Sequence, residues 1–143
     1  MSGIAEERCD CEATSILVFP CAGASNVGQI SNAAAVELAR QGRVRMYCLA
    51  GVGAHISGMV DSAQHVTYRI ALDGCPVACA RKTLEHAGVP VEKSVVVTEL
   101  GIQKNHKFEW SYNDLDCVMA AAVEGTPVMA GEDAGCGCGC GGN

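Results

Sequence analysis

The sequence predicts an α/β protein: a single-domain, three-layer Rossmann-like fold on a four-stranded parallel sheet. Three observations lead there. Short apolar runs alternate with amphipathic helical stretches four times along the chain. The length, 143 residues with 49% hydrophobic and 18% charged side chains, suits one domain with one buried core. Glycines at 42 and 88 stand where helical stripes stop.

Residues 15–19 read as the first strand. Asn26 is a cap residue with Gln29 at the third helical position, and Ile30, Ala34 and Leu38 form a stripe toward Gln41. Residues 44–49 read as a second strand, followed by a poorer helix over 54–64. In the third strand, 66–72, Val66, Tyr68, Ile70 and Leu72 share one face. Pro76 suits the first position of the next helix, where its missing N–H costs nothing, and Val77, Ala80, Leu84 and Ala87 supply the stripe. Residues 94–98 carry three successive valines and read as a central strand. A last helix covers 113–123, capped by Asn113 or Asp114, with Cys117 packed in the core. Helices on both faces and strand order 2-1-3-4 are expected, with ligands bound beyond the carboxyl ends of the strands.

The ends differ from this core, which spans 14–124. Residues 1–13 are charged and hold Cys9 and Cys11; residues 125–143 are glycine-rich and hold Cys136, Cys138 and Cys140. Both are expected to be flexible. The formal charge is −6 with 4% aromatic residues, which argues against nucleic acid as a partner, since phosphate binding needs a basic face. No apolar stretch approaches the roughly 20 residues of a membrane span, and no signal-peptide core follows the N-terminus. A cytoplasmic location is expected, and with it reduced thiols. The ten cysteines then read as ligands or redox groups rather than as bridges.

Four of them fall on one edge of the expected sheet. Cys21 follows the first strand, Cys48 lies near the end of the second, and Cys75 follows the third. Cys79 is four residues further, on the same helical face. Four thiolates suit tetrahedral zinc. Helix starts after Cys21 and Cys75 would supply N–H groups and a positive dipole end against the negative charge of such a set, and Lys104 a cation.

The blocks Pro20-Cys21-Ala22-Gly23-Ala24-Ser25-Asn26-Val27-Gly28-Gln29, Cys48-Leu49-Ala50-Gly51-Val52-Gly53-Ala54-His55, Asp73-Gly74-Cys75-Pro76-Val77-Ala78-Cys79 and Leu100-Gly101-Ile102-Gln103-Lys104 occur in order within residues 15–107. Together they resemble the DGC-domain family, named for its Asp-Gly-Cys triplet. The resemblance implies a prokaryotic zinc-binding protein whose four metal-chelating cysteines are Cys21, Cys48, Cys75 and Cys79. The five terminal cysteines lie outside it.

Other groups surround these thiols. Gly23, Ser25, Asn26 and Gly28 form a small-residue loop entering a helix, an arrangement that binds anions through backbone N–H groups. The loop is also similar to the nucleophile loop of low-molecular-weight phosphatases, but Val27 stands where those need an anion-binding Arg. His55 and Asp73 are candidates to support the ligands, Asp73 by accepting N–H bonds in its turn. His65, His86 and His106 carry no signal. The expected function is zinc binding, storage or sensing, with a metal-donor or acceptor protein as partner. The alternative is a thiol-dependent enzyme, with redox or oxyanion chemistry at Cys21 assisted by Cys75 or Cys79.

Overall fold

The computed structural model describes residues 14–129. Its four strands are β1 (Ile16–Pro20), β2 (Arg45–Met46), β3 (Tyr68–Asp73) and β4 (Lys93–Val96). All pair in parallel in the order β2-β1-β3-β4. Every residue of β1 is buried because the sheet is covered on both sides. Ile16, Val18, Ile70 and Leu72 meet α1 (Asn26–Arg40) and α5 (Tyr112–Val123) on one face. Leu17, Phe19 and Ala71 meet α2 (Leu49–Gly53), α3 (Ser57–Gln64) and α4 (Cys79–His86) on the other. This is the three-layer α/β architecture expected.

Several local readings are corrected. β4 stands at an edge, not in the centre; Val95 and Val97 are buried on the α1/α5 side, and the chain leaves the strand at Val97 into a 3₁₀ turn. The second strand is two residues long, because the chain turns into α2 at Cys48. The helix expected over 54–64 begins only at Ser57, and a separate short helix, α2, precedes it. His55 takes the left-handed conformation between them (φ 55°), and a side chain at Gly51 would sit 2.3 Å from the Met59 sulfur, so α3 packs directly onto α2. α4 begins at Cys79 rather than Pro76, because Ala78 is left-handed (φ 55°) and its N–H closes a turn on the Cys75 carbonyl. Val77 is therefore exposed, not part of the apolar stripe. Val66 packs on the α4 side, opposite Tyr68, Ile70 and Leu72.

The caps are also displaced by a residue or two. Ser25, not Asn26, caps α1, accepting the Gly28 N–H at 3.1 Å. Ser111 caps α5 in a reciprocal box with Asp114. Cys117 faces outward and is exposed, while Val118, Met119 and Ala122 carry the buried face of α5. The flexible ends expected over 1–13 and, from residue 130 on, over 125–143 lie outside the described residues. So do Cys9, Cys11, Cys136, Cys138 and Cys140. No helix among the described residues is long and apolar enough to cross a membrane.

Candidate thiol site at the carboxyl edge of the sheet

Cys21 continues β1, its N–H bonded to the Leu72 carbonyl of β3 at 3.0 Å. Its sulfur accepts the Gly74 N–H at 3.3 Å and lies 3.5 Å from the Ser31 hydroxyl. Ser31 donates its one proton to the Gly28 carbonyl at 2.6 Å, so the Cys21 thiol is the donor in that contact. The loops after β1 and β3 touch because they carry glycines. A side chain at Gly74 would lie 2.7 Å from the Gly28 nitrogen, and one at Gly28 would lie 2.6 Å from the Gly23 carbonyl oxygen.

Cys75 follows in the turn after Gly74 and is half-buried against the α1/α5 cluster. The Lys104 ammonium stands 3.6 Å from its sulfur. Lys104 is positioned by Asn26, whose side chain bonds Gln103 and Asn105 on either side of it. Cys79, the first residue of α4, is exposed. Cys21, Cys75, Cys79 and Lys104 line one cavity of about 280 Å³. Cys48, exposed at the start of α2, lies on an adjoining hollow of about 620 Å³ that Cys21 also borders. Cys21 thus stands between the other three.

The supporting groups divide. Asp73 is buried, and its carboxylate accepts the N–H groups of Ala80 at 2.7 Å and Arg81 at 3.1 Å, so it supplies the cap that Ala78 cannot. Burial raises its pKa above the ordinary 3.8, and the two N–H bonds oppose that shift. His55 turns to His86, not to a cysteine. In the small-residue loop the N–H groups of Ser25, Asn26 and Gly28 already meet protein acceptors, namely Gly23 O, Asn105 O and Ser25 Oγ. Sequence reading missed Ser31, the Gly74 N–H and the Asn26 tie. Asn26 was singled out as a cap and as part of the anion loop, and no local pattern announces a partner 79 residues away.

The donor chemistry fits a soft divalent ion: thiols, a neighbouring cation and an N–H donor to offset their charge. As placed, however, no three His, Cys, Asp or Glu side chains among the described residues are gathered closely enough to hold one. Closure needs the two exposed thiols, Cys48 and Cys79, to turn toward Cys21 and Cys75.

The DGC-domain profile matches residues 17–122. The chain belongs to the DGC-domain family. The match contains Cys21, Cys48, Cys75 and Cys79 and extends beyond the four blocks, through most of α5. This DGC chain is also 36% identical over 90 residues to the anaerobic and virulence modulator AnvM of Pseudomonas aeruginosa, covering 63% of the chain and 69% of that protein. No solved structure matches it.

Proposed function

We propose that this DGC-domain protein binds zinc through Cys21, Cys75, Cys79 and Cys48. The observation that supports the reading is the position of Cys21 on both hollows, between the pair Cys75 and Cys79 and the separate Cys48. Cys21 and Cys75 are held by their loops, and Cys48 and Cys79 are free to turn inward. Bound zinc would supply a cross-link between the loops after β1, β2 and β3, and its binding energy would add to folding stability. Lys104 and the Gly74 N–H would offset the negative charge of the sulfurs. The name of the relative, an anaerobic and virulence modulator, favours sensing over storage. A reducing cytoplasm would keep the thiols available. The test is elemental analysis of protein purified without chelator. About one zinc per chain is expected, lost in Cys75→Ser/Cys79→Ser; metal-free protein of unchanged stability overturns the reading.

A second reading rests on the Lys104–Cys75 contact. A cation held against one sulfur suits thiol–disulfide exchange. The Cys75 thiolate attacks a substrate disulfide and releases one substrate thiolate. Cys21 or Cys79 then attacks the mixed disulfide and releases the second. The protein ends as a disulfide and the substrate as two thiols, so two electrons pass to the substrate. One thiol alkylated by iodoacetamide far faster than the rest supports this reading, whereas uniform protection reversed by chelator supports zinc.

A further inference from the structure

Away from the thiols, His55 and His86 bring two ring nitrogens together, Nε2 of the first and Nδ1 of the second, 3.2 Å apart. We propose that this pair is a separate binding site for a divalent late first-row transition ion, Zn²⁺ or Ni²⁺. The site does not depend on the four-cysteine reading.

Four observations carry it. Zinc–imidazole bonds of about 2.05 Å in tetrahedral geometry place two ligand nitrogens about 3.3 Å apart, which matches the separation already present. The rings come from different elements, 31 residues apart, and cross edge to face at 69°. His86 is the last residue of α4, and His55 follows Ala54, the C-terminal cap of α2, so both histidines sit at helix C-termini, where partial negative charge favours a cation. Finally, His55 is fixed: its left-handed backbone (φ 55°) is held by its own N–H on Val52 O at 2.9 Å and by Ile56 N–H on Gly51 O at 3.2 Å.

In the metal-free pair one facing nitrogen carries a proton and the other accepts it. Metal binding needs both facing nitrogens bare, so that ring takes its proton on the outer nitrogen. Both residues are exposed, and water can carry the exchange. Lys82 lines the same small hollow beside His86 and works against a cation, while Arg81 lies against Glu85. No third His, Cys, Asp or Glu joins the pair among the described residues, so water fills the remaining positions and the site stays open and exchangeable.

The experiment is a Zn²⁺ titration of the reduced full chain followed by ¹H–¹⁵N spectra of the histidine rings. His55 Nε2 and His86 Nδ1 are expected to shift together and saturate with one ion beyond any that the thiols take up, in wild type and equally in Cys75→Ser/Cys79→Ser. His86→Ala is expected to abolish the His55 shift, and Lys82→Gln to tighten binding by about threefold. Both histidines are exposed, so their variants should fold. Rings unmoved by Zn²⁺, a His55 response that survives His86→Ala, or a response that disappears with the two cysteines would each overturn the proposal.

Discussion

Asn26 and Asn105 grip each other in both directions: the Asn26 N–H donates to the Asn105 carbonyl at 3.0 Å, and the Asn105 N–H donates to Asn26 Oδ1 at 2.6 Å. With the bond from Asn26 Nδ2 to Gln103 O at 2.8 Å, the start of α1 holds the segment that carries Lys104. Asn26→Ala removes two of these bonds and leaves the Asn105 N–H without its partner. A loss of about 1–3 kcal/mol is expected in urea unfolding, together with slower alkylation at Cys75 as Lys104 moves away. Unaltered Cys75 chemistry in a destabilised protein would separate Asn26 from the site.

Lys104→Met tests the cation alone. Lys104 is exposed, so stability should change by less than about 0.5 kcal/mol. The rate constant for iodoacetamide at Cys75, followed by peptide mass spectrometry, should fall while that at exposed Cys48 stays constant. Equal slowing at both would point to a general change in charge rather than to the 3.6 Å contact.

The glycine contact between the loops allows a steric test. Gly74→Ala places a methyl group 2.7 Å from the Gly28 nitrogen, so one loop must shift. A cost of about 1–3 kcal/mol is expected, because backbone rather than a flexible side chain is in the way. Gly58→Ala, on α3 with open space around it, is the control and should not destabilise. If the two variants have the same denaturation midpoint, the loops do not meet as described.

A stability test lies on the opposite edge of the sheet. Arg69 is 5% exposed and donates to both Glu92 oxygens and to the carbonyls of Ala63, Gln64 and Val66. Arg69→Ala should cost about 3–5 kcal/mol, since it strips three carbonyls and a carboxylate at once. Glu92→Gln should cost only about 1 kcal/mol, because Arg69 keeps its carbonyl partners. A larger loss for Glu92→Gln than for Arg69→Ala would contradict this ranking.

Asp73 supplies a pH dependence. Its folded pKa is raised, by burial first, above the 3.8 of the unfolded chain. Between those values the folded state binds more protons, so this group's contribution to stability falls as pH rises through the window and is flat above it. On metal-free protein, the stability advantage of wild type over Asp73→Asn should be greatest below pH 3.8 and shrink as pH increases. An advantage that grows with pH would show that the bonds from Ala80 and Arg81 outweigh burial.

The parallel sheet was legible because branched apolar runs separated by amphipathic stretches leave few alternatives to one covered on both faces; that its fourth strand lies at an edge was not. The places of Cys21 and Cys75 after strand ends, and of Cys79 on the helix that follows, were legible. The break at His55, the late start of α4 and the outward turn of Cys117 were not legible. Each depends on which neighbour a residue meets: Met59 against Gly51, the Asp73 carboxylate under α4, and Val118 and Met119 taking the core in place of Cys117. His86 looked empty of meaning for the same reason, as its partner belongs to another element.

What the sequence by itself determined, then, is the layered architecture and the family, because hydrophobic period and ordered blocks are properties of the chain taken locally. Only the tertiary structure decided that Cys21 borders two hollows, that Lys104 stands at Cys75 and that two histidines face each other. Such contacts follow from close packing between loops distant in the chain, and no spacing along the backbone encodes them.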